Sequence, residues 1–278
     1  MRIVFCGGGD FGLNSLRWLA GSEHDVVLVV TQPPRPAGRG RKVVRTAISE
    51  LAETLGLACL ETADINTPEH TARIRHLEPD IIVVIALGQK IGPELLRVPH
   101  CRTINLHSSL LPKYRGAAPI NWAIINGETE TGLTVIELNE QWDAGEMLGQ
   151  ARTPIGAEET AGELHDRLAA MGPDLLAEVL ENIARGTITP LPQNHALASR
   201  APKLKKADGA IDWSREAAVL RNQIHGMWPW PGAQCLLLQG GKNTPETILL
   251  ARARTPDTPD EESVKVRVMP GPAPRPGE

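Results

Sequence analysis

Short, almost wholly apolar runs punctuate the first half of the chain, at residues 3–6, 26–30, 58–60, 81–86, 103–106 and 133–138. Several are near-continuous Val and Ile, the pattern of strands buried on both faces. Stretches with helical periodicity separate them, over 11–20, 44–55, 68–77, 93–96 and 119–125, and a longer one spans 160–185. This alternation predicts an α/β fold with a doubly wound, mostly parallel sheet. The strand starting near Gly132 follows a helix and a turn, which suits an antiparallel edge.

The texture changes near Gly186. Residues 187–207 are polar and contain prolines, and they read as a linker. Beyond them come a short helix at 214–225, a rigid WPWPG turn at 228–232 and three β-like runs at 233–238, 247–254 and 263–268. So few strands are marginal in water on their own. The expected organisation is a domain over 1–186, a linker over 187–207 and a small β domain over 208–278. That last domain either leans on the first or is incomplete.

Apolar residues make up 41% of the 278, enough for a sizeable core, and the net charge of −4 argues against wholesale nucleic-acid binding. Its distribution changes the picture. Residues 31–48 hold five basic side chains (Arg35, Arg39, Arg41, Lys42, Arg45) and no acidic one, and residues 200–254 hold nine basic against four acidic. Two positive patches in an acidic chain suit a polyanion met locally. The four cysteines are too scattered for a zinc site or a redox pair, and read as buried thiols in a reducing compartment. With no leader and no membrane-spanning run in the sequence, the expectation is a soluble cytoplasmic protein.

Two motifs invite chemistry, and one fails. Gly7, Gly9 and Gly12 fit the dinucleotide fingerprint G-x-G-x-x-G, but the second strand ends in Val30-Thr31-Gln32-Pro33 where an acid should hold the ribose. Those glycines are expected to form a tight turn beside a ligand. The second motif is TINLHSSLLPKYRGAAPINWAIING, residues 103–127. A strand there delivers a His into a loop that precedes a helix, and in open α/β sheets ligands sit beyond such strand ends. Asn105 and His107, two apart, share one strand face.

A neutral amide donor, or an imidazolium, can stabilise the oxyanion formed when a carbonyl is attacked. A carboxylate beside the imidazole can relay the proton of an attacking amine, and Asp143, in a loop after a strand, is placed to supply it. Ser108 and Ser109 lack the glycines of a nucleophile elbow, so a serine hydrolase is disfavoured. No second His or Cys stands at ligand spacing, so no metal is expected.

The chain resembles the folate-dependent formyltransferases, in their methionyl-tRNA formyltransferase branch. The matching segments are Asp10-Phe11, TQPPRPAGRG at 31–40, the block 104–127, WDAGE at 142–146, ETAGELHDRL at 159–168, APKLK at 201–205, DGAIDW at 208–213 and WPWPGA at 228–233. The resemblance implies formyl transfer from the co-substrate 10-formyltetrahydrofolate to the α-amine of initiator methionyl-tRNA, by a monomer with no membrane association. The family's catalytic Asn, His and Asp fall on Asn105, His107 and Asp143. Its folate-contacting segment falls on Ser109, Leu110, Leu111 and Pro112, and its tRNA loop on Arg35, Arg39, Arg41, Lys42 and Arg45. Its second domain, an oligonucleotide-binding (OB-like) barrel, falls on 208 onward, where too few strands remain to close a barrel. Retained chemistry with weakened tRNA binding is the expectation. Leu87 stands where the family usually has Tyr, and Glu146 where it has Asp. The alternatives are a formyltransferase acting on a small amine, a hydrolase releasing formate, and a non-catalytic RNA-binding relative.

Overall fold

The computed structural model describes residues 1–37, 42–237 and 246–255. Strands are β1 (Arg2–Gly7), β2 (Asp25–Thr31), β3 (Arg35–Ala37), β4 (Lys42–Val44), β5 (Cys59–Glu61), β6 (Ile81–Ile85) and β7 (Arg102–His107). They continue as β8 (Arg115–Gly116), β9 (Glu130–Glu137), β10 (Met147–Pro154), β11 (Arg200–Ala201), β12 (Ala233–Leu237) and β13 (Glu246–Leu250). Helices are α1 (Leu13–Gly21), α2 (Ala47–Thr54), α3 (Pro68–His76), α4 (Pro93–Leu96), α5 (Pro119–Ile125), α6 (Ala161–Ala184) and α7 (Ala217–Met227).

The central sheet has the order β10-β9-β7-β6-β1-β2-β5. Its β5, β2, β1, β6 and β7 are parallel, β9 runs antiparallel to β7, and the edge strand β10 runs antiparallel to β9 and so returns to the direction of β7. Side chains alternate across a strand, so each apolar run feeds two cores. Ile3, Phe5, Ile81, Val83 and Ile85 face a layer built by α1, α2 and α6. Val4, Cys6, Ile82 and Val84 face the other side, where Ile74 of α3 and Leu95 of α4 close the second core.

The antiparallel edge begins at Glu130, near the expected place. β10 is an addition the periodicity did not reveal. Its sequence MLGQARTP buries only Leu148, because an edge strand needs one apolar contact face and no Val/Ile run. The helix expected over 44–55 starts at Ala47 instead. Thr46 caps it by accepting from the Ser49 N–H at 3.1 Å, and residues 42–44 pair with 35–37 as a hairpin.

The 24-residue α6 starts from a capping box in which Thr160 and Glu163 satisfy each other's backbone N–H groups. Thr160→Ala is expected to cost about 1 kcal/mol, read as a lower urea midpoint with an unchanged slope.

Residues after the linker lean on the first part of the chain. Ile224, Met227, Ala233 and Leu250 form a small core with Leu204, against Ala118, Trp122 and Ile125 of the α5 region. Gly226 lets α7 approach closely, since a Cβ there would lie 2.5 Å from Ile125 Cγ1. β12 and β13 form an antiparallel hairpin; the β-like run at 263–268 lies outside the described residues. No helix among the described residues is long and apolar enough to cross a membrane.

Candidate active site

The sheet's direction of winding reverses between β1 and β6, and a crevice opens beyond the carboxyl ends of β1, β6 and β7. It is a cavity of about 820 Å³. Its wall includes Gly9, Leu87, Asn105, His107, Trp142 and Asp143. Leu106 points the opposite way, into the core, which turns Asn105 and His107 together toward the crevice.

His107 is 6% exposed, and its Nε2 lies 3.0 Å from the carbonyl oxygen of Tyr114. A carbonyl only accepts, so Nε2 carries the proton and donates it there. Nδ1 is thereby left facing Asp143, whose Oδ1 is 3.7 Å away. The other carboxylate oxygen, Oδ2, accepts the Gly116 N–H at 2.8 Å. Asp143 is buried at 8% exposure and takes a left-handed φ of +50°, which aims its side chain back into the crevice. Among the described residues, nothing hydrogen-bonds the Asn105 amide. It stands free as a donor.

A layer of contacts fixes these groups. Gln193 is 5% exposed; its Nε2 donates to the carbonyls of Asp143 at 2.9 Å and Gly145 at 2.7 Å. Its Oε1 accepts from Arg115 Nε at 3.1 Å and Nη2 at 2.6 Å. Burial pushes the Arg115 guanidinium down, while the Asp143 carboxylate pulls it back up. The Tyr114 N–H donates to Ser199 Oγ at 2.9 Å, and β8 pairs with β11. Gly116 has φ +125°, and a Cβ there would lie 2.6 Å from the Ala201 carbonyl oxygen, so only glycine allows this approach.

The far wall is equally rigid. Gln32 Nε2 donates to the Leu87 carbonyl at 2.6 Å, and Gln89 bridges the Ile65 N–H and the Thr62 carbonyl. The glycine turn packs against this loop: a Cβ on Gly8 would lie 2.7 Å from the Ala86 carbonyl oxygen. Leu87, at the family's usual Tyr position, is buried there.

Tyr114 is the chain's one tyrosine. Its hydroxyl donates to Glu128 Oε1 at 2.7 Å and accepts from Asn126 Nδ2 at 3.2 Å. Burial, aided by the Glu128 carboxylate and opposed by Asn126, pushes its pKa up to about 12. Between pH 10.0, the ordinary value, and about 12 the folded chain keeps a proton that the unfolded chain has lost. Stability should therefore fall as pH rises through that window. The tyrosinate absorbance of the native protein should titrate near 12; a midpoint near 10 would contradict the buried contact.

The predicted folate segment is not on the cavity wall. Ser108 borders the crevice, whereas Ser109–Pro112 do not line it. Ser109 is fully buried, with Oγ donating to the Lys113 carbonyl at 2.7 Å. The Leu111 N–H donates to Thr134 Oγ1 at 3.1 Å.

A second cavity, about 490 Å³, adjoins the first and shares Gly9, Asp10, Ile120, Asn121, His165 and Trp230 with it. Arg35, exposed on β3, and Arg45 border it. The Arg45 guanidinium is engaged: it pairs with Glu53 and Glu61 and donates to Ser49 Oγ at 2.6 Å. Both acids lie outside the basic window of the sequence, so that window presents less free charge than its composition suggests. Arg39 and Arg41 lie outside the described residues, as does the Lys42 side chain.

Sequence reasoning missed the Tyr114 carbonyl, the Gly116 N–H and Gln193. The first two act through backbone, which leaves no compositional mark. Gln193 sits in a Pro-flanked stretch that reads as a linker.

The formyl transferase family model matches residues 1–180, and its C-terminal domain model matches 203–275. The methionyl-tRNA formyltransferase of Citrifermentans bemidjiense is 49% identical over 237 residues, 85% of this chain and 74% of that protein. That of Geotalea uraniireducens is 42% identical, over 90% of this chain and 84% of its own length. Among solved structures, a sugar N-formyltransferase from Shewanella superposes with a TM-score of 0.65 at 17% identity, covering 92% of this chain and 99% of its own. HypX from Aquifex aeolicus in complex with tetrahydrofolic acid superposes with a TM-score of 0.59 at 22% identity, covering 84% and 35%. These two neighbours share the fold. With both family models matched and relatives this similar over most of their length, the chain belongs to the formyl transferase family.

Proposed function

We propose that this chain transfers a formyl group from 10-formyltetrahydrofolate to the α-amine of initiator methionyl-tRNA, a step of translation initiation in the cytoplasm. The observation that carries the chemistry is the unpartnered Asn105 amide on the same strand face as His107, with Asp143 beside them. The first cavity lies within the usual size range for small-ligand sites, about 300–1,000 Å³. The folate supplies a formyl carbon on an amide-like nitrogen. Asn105 Nδ2 donates to the formyl oxygen as negative charge develops on it. Because Nε2 is committed to Tyr114, His107 Nδ1 is the basic nitrogen left to accept the amine proton. The Asp143 carboxylate then stabilises the imidazolium, and the proton passes to the departing nitrogen.

The adjoining cavity, bordered by Arg35, is where the acceptor end enters, and phosphates are met by Arg35 and by Arg39, Arg41 and Lys42 of the same basic stretch of sequence. Arg45 braces the hairpin base through Glu53 and Glu61. Ser109–Pro112, the segment assigned to folate contact, adjoin this site through Ser108, which borders the crevice.

Substrate choice tests this reading. With 10-formyltetrahydrofolate as donor, methionyl-tRNA should be formylated far faster than a nucleotide-linked amino sugar. The reverse preference would place the chain among small-amine formyltransferases.

A further inference from the structure

We infer that Gln193 is a positioning residue of the reaction: it sets the Asp143 carboxylate against His107 by tying together the two loops that build the site. This rests on the catalytic reading of Asp143 given above.

Every polar capacity of this side chain is used. Its two N–H groups go to the Asp143 and Gly145 carbonyls, and its oxygen takes two N–H groups from Arg115. The first pair spans Asp143 itself, which holds a left-handed backbone that a non-glycine residue disfavours. The second pair anchors the loop whose next residue, Gly116, donates to Asp143 Oδ2. The residue before Arg115, Tyr114, supplies the carbonyl that orients His107. One buried amide therefore reaches both sides of the His107–Asp143 pair. No carboxylate or aliphatic side chain of this size can replace it, because neither offers two N–H donors alongside an acceptor.

The same segment is pinned further along, where the Ser199 carbonyl accepts the Arg115 N–H at 2.9 Å and the Ala201 carbonyl accepts the Ala117 N–H at 2.8 Å. The stretch that reads as a linker is thus part of the active site's frame.

A double-mutant cycle separates this role from general structural support. Formylation of methionyl-tRNA is measured for the full chain, Gln193→Leu, Asp143→Ala and the double variant. Gln193→Leu should lower kcat by roughly 30-fold, in line with the cost of misplacing a reacting group, with KM for both substrates within about twofold. The double variant should be no slower than Asp143→Ala alone, since Gln193 acts through Asp143. Gln193→Glu, which keeps an acceptor for Arg115 and loses both donations, should repeat the fall in kcat and guards against misfolding of the Leu variant. Independent, additive losses would overturn the inference, as would an unchanged kcat or a change confined to KM for tRNA. If Asp143→Ala itself keeps full kcat, the reading of the active site fails first, and that result is distinct from the others.

Discussion

Asn105→Ala is expected to lower kcat by about 10²–10³, the range for removing one oxyanion donor, with KM for folate and tRNA nearly unchanged. The size follows from the amide's surroundings. Among the described residues its N–H groups have no partner, so they need not leave one when charge builds on the formyl oxygen. Asn105 sits on β7 between β6 and β9, where Val84 and Ile136 are its ladder partners, so the donor is held by the sheet rather than by a loop. Removing it deletes stabilisation that matters only in the transition state, which appears in kcat and not in KM. Asn105→Asp keeps the shape and brings a negative charge instead of a donor, and should be at least as slow. A loss confined to KM would mean the amide binds substrate rather than the developing charge.

Gly145→Ala should destabilise the protein and inactivate it together. A Cβ on Gly145 would lie 1.7 Å from the Glu137 carbonyl oxygen. Neither side can yield easily. Glu137 pairs with Ile104 of β7, and its N–H donates to the Glu146 carbonyl at 2.9 Å. The Gly145 carbonyl is held by Gln193. Forced overpacking of this kind costs typically 1–3 kcal/mol and occasionally more. At about 3 kcal/mol, Tm would drop by roughly 6–12 °C. Asp143 lies two residues away, so its carboxylate would move off His107 and kcat would fall too. Gly21→Ala, where an added methyl meets nothing within 4 Å, is the control and should be neutral. A Gly145→Ala variant as stable and active as the parent would contradict the close approach.

The sequence showed the parts whose cause is local. β1 and β6 are legible because both their faces are buried, which demands continuous apolar residues, and Asn105 with His107 because a spacing of two on a strand admits one geometry. β10 was hidden because its polar sequence is compatible with an edge strand and with a loop alike. Arg45 read as a free cation because its partners, Glu53 and Glu61, come from elements folded back beside it. Ser109–Pro112 illustrate the reverse: the segment that follows His107 and Ser108 in sequence does not line the crevice, and Ser109 and Leu111 hydrogen-bond to Lys113 and Thr134. Gln193 became visible only once the chain had returned across the sheet's end, some 50 residues after Asp143. Trp230, part of a WPWPG stretch that reads only as a rigid turn, lines both cavities.

The most direct measurement is a single-turnover transfer of labelled formyl from 10-formyltetrahydrofolate to methionyl-tRNA, with binding of each substrate measured separately, for the full chain and for His107→Ala. The account predicts transfer by the parent and none measurable by the variant, while both bind folate and tRNA comparably. Transfer by His107→Ala at the parent's rate would contradict it, because the proton would then be leaving the amine by another route.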